Sequence, residues 1–325
     1  MKTHLKSFGG FALAAALAAV QTARAAMVIT PTFTANFNAN FGANAAAAQA
    51  SWIAAANVFT TNFNDNIHVN IIVDAVTGTS VFGQSNYFLN STSYSNLRAK
   101  VVSDAKSADD LTAVSPVGSM TLADPTGGAG TWWVNRAEAK AIGLIADDFS
   151  NDGKTTFGTG NSFTFSGAIA GGTYDFKGIA AHEISEVLGR QGISGGTIGS
   201  TTNSYSLLDN FSYSNVSTKG LDNGPGNNLS IDDGTTLLKL FNDVVANGLD
   251  SRDWAPGTND SFNQFSSSGV VNPVTAVDLR LMDVIGYDIV PEPSGGILTG
   301  LLCLGAATLR RRRNVNRGFT SETVL

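Results

Sequence analysis

Residues 174 to 190 read Tyr174-Asp-Phe-Lys-Gly-Ile-Ala-Ala-His-Glu-Ile-Ser-Glu-Val-Leu-Gly-Arg190, and this stretch carries the clearest helix signal in the chain. Asp175 can cap the start of a helix, Gly189 can end it, and no proline interrupts the residues between them. The stretch therefore predicts a helix that runs from Asp175 to Gly189.

Rare residues cluster on this helix. Between its two ends the chain has two histidines and four glutamates, and three of these six residues are His182, Glu183 and Glu186. At about 100° per residue the three fall on one arc, with apolar residues on the neighbouring arc. His182 and Glu186 can hold one metal ion together, with Glu183 beside it to polarise a bound water molecule. The alternative is an amphipathic helix that turns the same side chains to solvent.

The segment resembles the active-site helix of zincin metalloproteases, in a His-Glu-x-x-Glu variant that has glutamate at the second histidine position. The resemblance implies an α+β zincin-like domain with a mixed β-sheet and the active-site helix in its cleft. It also implies that His182 and Glu186 are zinc ligands and that Glu183 is the general base acting on a polypeptide substrate.

A third metal ligand is harder to assign. Metzincins place a histidine or aspartate three residues after the glycine that follows the motif, and Gly192 occupies that position. Because no histidine follows downstream, the third ligand has to be a carboxylate or a tyrosine. We predict Asp209 as this ligand and Tyr213 as an outer ligand or oxyanion donor. Zn²⁺ is the expected ion. Carboxylate oxygens are harder ligands, in the hard–soft sense, than histidine nitrogens, so manganese, iron or calcium are alternatives.

The flanking sequence fits an α+β domain. Residues 45–63 are rich in alanine and predict a helix, which leads into an alternating strand at residues 67–73. Further helices are predicted at residues 95–107 and from Thr275, in a capping box with Asp278, to Gly286, and further strands at residues 131–134, 141–146 and 155–165.

Two acidic loops and one histidine remain. Residues 148–153 begin like a calcium loop, but Thr159 stands where the closing glutamate belongs, so a turn between strands is predicted. Residues 222–233 predict a solvated loop, with Ca²⁺ as an alternative. His68 alternates within a strand and is predicted to be packed or exposed rather than a ligand.

The N-terminus has the layout of a secretory signal. Residues 1–25 combine Lys2 and Lys6, an apolar run at residues 11–20, and the small-x-small site Ala23-Arg-Ala25. The apolar run is about half of the ~20 residues that a membrane span requires. We predict a signal peptide that signal peptidase removes.

The C-terminus has a three-part layout. Residues 290–293 contain Pro-Glu-Pro, an uncharged run that can embed in a bilayer extends to Leu309, and four arginines follow on what would be the cytoplasmic side. This layout resembles the PEP-CTERM sorting signal, which implies recognition by an exosortase. A tail at residues 314–325 extends past the arginines, where members of that family usually stop. The residues that carry the signal are Pro291, Glu292 and Pro293 and, at the basic end, Arg310, Arg311, Arg312 and Arg313.

The two resemblances combine. The helix at residues 174–190 and the closing segment Asp278-Leu-Arg-Leu-Met-Asp-Val-Ile-Gly-Tyr287 are similar to a group of PEP-CTERM-tailed, metalloprotease-like proteins, over most of residues 28 to 288. The expected organisation is a signal peptide at 1–25, one zincin-like domain at 26–289, a sorting and anchoring segment at 290–313, and a tail.

Composition limits the function classes. The domain and the Pro-Glu-Pro motif contain 12 basic and 25 acidic residues, a balance that argues against nucleic acid as a partner. The single cysteine, Cys303, lies in the apolar tail, so no disulfide stabilises the exported domain. The expected protein is a surface-sorted metallopeptidase in the envelope of a Gram-negative-type bacterium. The alternative is a catalytically inactive zincin-fold protein with an adhesive or structural role in a biofilm matrix.

Overall fold

The computed structural model describes residues 26–242 and 250–291. The predicted signal peptide, Glu292, Pro293 and Arg310 to Arg313 lie outside the described residues. The described residues up to Ile289 belong to one compact unit. None of the described helices is long and apolar enough to cross a membrane.

The described residues form a series of short strands and helices. In chain order these are β1 (Val28–Phe33), α1 (Ala35–Phe41), a 3-10 turn (Gly42–Asn44), α2 (Ala45–Asn62), β2 (His68–Val76), β3 (Gly83–Tyr87), β4 (Leu89–Thr92), α3 (Tyr94–Asp104), α4 (Ala108–Ala113), β5 (Thr131–Asn135), α5 (Arg136–Ala141), β6 (Asn151–Gly158), β7 (Phe163–Thr164) and β8 (Tyr174–Asp175). They continue with α6 (Phe176–Val187), β9 (Gly196–Ile198), β10 (Thr201–Ser206), a 3-10 turn (Leu208–Phe211), β11 (Ser212–Asn215), β12 (Thr218–Lys219), β13 (Asn228–Leu229), β14 (Lys239–Leu240) and α7 (Ala276–Val284).

The main sheet is mixed and has the strand order β1-β2-β6-β3. β1, β2 and β6 run parallel, whereas β3 pairs antiparallel with β6, in a register that sets Ser85 opposite Thr155. Two further four-stranded sheets, built from shorter strands, have the orders β4-β5-β10-β9 and β12-β11-β13-β14. Strand β7 pairs with β8. The protein is therefore a mixed α+β domain, as the sequence predicts.

Helix α2 packs on the main sheet beside α6. Many of its side chains are small alanines, whereas the large side chains of Trp52 and Phe59 are fully buried. The indole N–H of Trp52 donates a hydrogen bond of 3.1 Å to Oγ1 of Thr155 in β6. Helix α6 packs against α2, β3 and β6, so it lies along the edge of the sheet that β3 forms.

The signals that predicted α6 and α7 act as expected. The side chain of Asp175 accepts a hydrogen bond from the backbone N–H of Lys177, and Gly189 has a φ of +112°, which favours glycine. The Asp278 carboxylate accepts a 2.6 Å hydrogen bond from the backbone N–H of Thr275 at the start of α7. Capping therefore fixes where both helices begin.

The strand predicted at residues 141–146 is wrong. Residue Ala141 ends α5, and the backbone N–H groups of Ile142 and Leu144 donate to the carbonyl groups of Glu138 and Ala139. Gly143 then turns the chain with a φ of +64°. The apolar run thus belongs to the end of a short helix. The strand predicted at residues 155–165 divides into β6, which starts earlier and ends at Gly158, and the short β7.

Candidate metal centre

His182 is oriented by a backbone group. Its Nδ1 lies 2.8 Å from the carbonyl oxygen of Ser261. Because a carbonyl oxygen can only accept, Nδ1 carries the proton of this hydrogen bond. In the neutral ring Nε2 is then left with its lone pair free, which is the form that binds metal ions.

Two carboxylates converge on this nitrogen. Nε2 of His182 lies 3.3 Å from Oε1 of Glu186 and 3.6 Å from Oδ1 of Asp253. One ligand atom from each of the three residues lies within 4.8 Å of the other two. A nitrogen and two carboxylate oxygens at this spacing fit a divalent cation. Among residues 26–242 and 250–291, these three are the only group of acidic, histidine or cysteine side chains with that property.

Asp209, the predicted third ligand, is engaged elsewhere. Its carboxylate accepts hydrogen bonds from the backbone N–H groups of Ser194 at 2.9 Å and Ser206 at 2.8 Å, and it pairs with Arg252 at 2.7 Å. The group of side chains that could hold an ion therefore contains Asp253 and does not contain Asp209. The sequence reasoning missed Asp253 because its loop is remote in the chain from the helix and has no recognisable spacing.

Tyr213 also lies away from the three ligands. Its hydroxyl donates to the carbonyl of Ser119 at 3.4 Å and accepts from Nζ of Lys219 at 2.7 Å in the third sheet. Tyr87, at the end of β3, is one of two tyrosines that line the cleft, and its hydroxyl donates to Oε1 of Gln191 at 3.2 Å. The prediction of Tyr213 as an oxyanion donor is therefore not supported by its location.

Strand β3 positions both glutamates. The hydroxyl of Ser85 donates a 2.6 Å hydrogen bond to Oε2 of Glu186, the carboxylate oxygen turned away from His182. Glu183 is buried against Gly83, where a Cβ atom would lie only 2.2 Å from Oε1 of Glu183. Glycine at position 83 thus leaves the space that the Glu183 carboxylate fills.

Arg190 completes the cluster, although the sequence analysis did not single it out. Its fully buried guanidinium lies 2.5 Å from Oδ1 of Asp253 and 3.4 Å from Oε1 of Glu186. The only sequence signal was its spacing of four residues from Glu186 on the helix, which places the two side chains on one face.

The charges of these groups are strongly linked. Burial and Arg190 oppose a charged imidazole, but Asp253 and Glu186 outweigh them and raise the pKa of His182 to about 10. Burial alone would raise the pKa of Glu186, yet the His182 hydrogen bond and the nearby charges lower it to about 2. Burial, followed by the charge of Glu186, raises the pKa of Glu183 well above its usual value.

The cluster opens into a cleft with a cavity of about 590 Å³. Its lining also includes the aromatic residues Phe82, Tyr174 and Phe265. The rings of Phe82 and Tyr174 are 4.6 Å apart, edge to face, while Phe265 is 53% exposed. The lining of the cleft therefore combines charged and aromatic side chains.

Residues 148–153, predicted to form a turn rather than a calcium loop, lead into β6, and their carboxylates pair with basic residues. Lys140 pairs with Asp152 at 2.8 Å, and Arg136 pairs with Asp148. In the second loop, Oδ1 of Asp222 accepts hydrogen bonds from the backbone N–H of Gly224 and from the side chain of Asn227.

His68 is partly packed and partly exposed, as predicted. Its ring contacts Asp147 at 2.7 Å and Phe149 at a centroid distance of 4.4 Å, partly exposed. It is not one of the three ligand residues.

Comparison of the chain with known protein families, with curated proteins and with solved structures finds no significant match.

Proposed function

We propose that this domain is a metal-dependent hydrolase. More particularly, we propose a zincin-like metallopeptidase in which His182, Glu186 and Asp253 hold a zinc ion. The observation that carries the proposal is the convergence of these three side chains in an open cleft, with Glu183 next to His182 on the same helix. A bound divalent ion would lower the pKa of a water molecule and polarise a scissile carbonyl group.

The residues around the proposed metal site then have distinct roles. Ser261 holds the ring of His182 through its carbonyl group, and Ser85 holds Glu186 through its hydroxyl group. Glu183 accepts the proton of the attacking water and passes it to the leaving amine, and its raised pKa suits a group that must hold that proton. Tyr87 is the hydroxyl donor at the cleft for an oxyanion.

A peptide is the substrate that the cleft fits best. β3 is the edge strand of the main sheet in the described part of the chain, and its residues 83, 85 and 87 line the cleft. An extended peptide can add to such an edge through backbone hydrogen bonds. The predicted signal peptide and PEP-CTERM segment support export and sorting to the cell envelope by signal peptidase and an exosortase, with membrane attachment through the C-terminal segment.

One observation favours the alternative of an inactive surface or matrix protein. Glu186 and Asp253 already have two basic partners, His182 and Arg190, so the cluster can balance its charges without a metal ion. In that case the same side chains would serve only to stabilise the fold.

Metal analysis and casein hydrolysis by the purified protein separate the two functions. We expect about one zinc ion per chain, and a 10²- to 10⁴-fold loss of hydrolysis in Glu183→Gln with the metal retained, since general-base catalysis contributes roughly that factor. Glu138→Gln is the matched control because Glu138 is equally buried but lies outside the cleft lining. Metal without hydrolysis would favour the matrix role, and a protein that binds no metal would refute the peptidase.

A further inference from the structure

Arg190 contacts the same carboxylate atoms that face His182. Its guanidinium lies 2.5 Å from Oδ1 of Asp253 and 3.4 Å from Oε1 of Glu186, and these two oxygens also point toward Nε2 of His182. Any ion held by the three ligands would therefore share two oxygen atoms with a permanent cation.

The guanidinium is fixed by groups that are not ligands. Nε of Arg190 donates a 2.7 Å hydrogen bond to Oγ of Ser185, which in turn donates to the carbonyl of His182 at 2.6 Å. The face of the guanidinium lies 4.6 Å from the centroid of the Phe262 ring, and the side chain has no exposure to solvent. Arg190 therefore stays beside the carboxylates whether or not an ion is bound.

Two buried carboxylates without a counter-charge are strongly unfavourable, because the interior cannot replace their hydration. We propose that Arg190 is a built-in counter-cation, which balances the charges of Glu186 and Asp253 in the folded domain before the metal binds. This inference rests on the proposed metal site. It has two consequences: the metal-free domain is already folded, and the affinity for the ion is limited by the positive charge next to it.

Thermal unfolding of the full chain with and without Zn²⁺ tests the proposal. Arg190→Met should lower the Tm of the metal-free protein, and the rise in Tm on adding Zn²⁺ should be larger than in the wild type, because the ion then supplies the missing positive charge. We expect about tenfold tighter Zn²⁺ binding in this variant by competition with a chelating dye. Arg190→Lys restores a charge and should return the zinc-induced rise in Tm toward the wild-type value.

Arg252→Met is the matched control. Arg252 is also buried, but it pairs with Asp209, which is not one of the three ligands. This variant should lose stability while its zinc-induced rise in Tm equals that of the wild type. A rise in Arg190→Met that is equal to or smaller than in the wild type would overturn the proposal. If Arg190→Met fails to fold alone, folding restored by Zn²⁺ supports the inference and failure in both conditions overturns it.

A metal-free double-variant cycle separates this inference from the proposed function. If the wild type binds no zinc in equilibrium dialysis, the peptidase proposal fails, but Arg190 and Asp253 can still be compared. When Arg190 acts as a counter-cation, Arg190→Met combined with Asp253→Asn should lose less Tm than the sum of the two single variants. Additive losses would refute the counter-cation role.

Discussion

Two charge clusters of this domain, each with buried members, have similar compositions and different surroundings. The cleft cluster consists of His182, Glu186, Arg190 and Asp253, and the turn cluster consists of Arg136, Lys140, Asp148 and Asp152. Both combine two basic and two acidic side chains. In the turn cluster, Nζ of Lys140 donates to Asp152 and to the carbonyl groups of His68 and Asp148, which uses all three of its protons.

The two clusters differ in their access to the cavity and in the type of their basic groups. All four residues of the cleft cluster line the 590 Å³ cavity, whereas the described lining contains no residue of the turn cluster. An imidazole can also exchange its proton for a metal ion, which a lysine fixed by three acceptors does not do. The proposed metal site therefore belongs to the cleft cluster, whereas the turn cluster has the features of a structural ion pair.

The largest expected effect is on the turn cluster. Lys140→Met leaves Asp152 buried with Arg136 as its remaining partner, so we expect a loss of about 3 kcal/mol in the free energy of unfolding, measured in urea. Zinc stoichiometry should not change. Lys154→Met is the control, because Lys154 pairs with Asp74 at the surface with 38% of its side chain exposed, and it should lose about 1 kcal/mol or less. Equal losses would mean that the turn cluster is not a structural core element.

Asp253→Asn tests the cleft cluster directly. It removes a proposed ligand, and we expect zinc affinity to fall by at least about 100-fold, more than the 10- to 100-fold typical of outer-shell changes. Asp152→Asn should leave the affinity unchanged. Asp209→Asn should lower stability and retain most of the affinity; the reverse pattern for Asp209 and Asp253 would restore the ligand set predicted from the sequence.

A smaller effect is expected from the hydrogen bond that orients Glu186. Ser85→Ala removes the 2.6 Å donor to Oε2, and zinc affinity should fall about tenfold in isothermal titration. Ser91→Ala, at an exposed position of β4, serves as the control. An unchanged affinity in Ser85→Ala would show that Arg190 and the backbone suffice to orient Glu186.

A third group of buried carboxylates tests the role of charge balance. Burial, followed by repulsion from Asp288, raises the pKa of both Asp65 and Asp104 to about 7, with Lys106 as the nearby cation. Both carboxyls bind protons more tightly in the folded state, so their contribution to stability is fully present below about pH 4 and is lost as pH rises through 7. We expect a higher Tm at pH 5.5 than at pH 8, and a smaller difference in Asp104→Asn. A Tm that increases over this range in the wild type would contradict the assignment.

The sequence predicted the parts of this fold that depend on local signals. Helix α6 followed from Asp175, Gly189 and the arc between them, and α2 followed from its run of alanines. The packing of β3 against α6 was not predicted, since no periodic pattern marks residues 83–87 as a strand. A strand was assigned wrongly where Ile142 and Leu144 close a short helix.

The residues of the candidate site also fall into those that local sequence predicts and those that only tertiary contacts bring together. His182, Glu183 and Glu186 share one helix, so their proximity follows from helical periodicity. Asp253 is brought to them by tertiary contacts alone, and its identity depends on which loop packs over the helix. Asp209 was a reasonable candidate by residue type, but the structure uses it to bind Arg252, the residue next to Asp253.

The orientation of His182 has a consequence for how this site can change by mutation. The acceptor at Nδ1 is the main-chain carbonyl of Ser261, a group that every amino acid provides. That loop is held by Ser261 N–H to the carbonyl of Pro273, again through the backbone. A point mutation can delete either carboxylate in one step, but no side-chain exchange at position 261 removes the imidazole's partner. The direction of the His182 imidazole therefore depends on the position of the loop backbone and not on the chemical identity of the side chain at position 261.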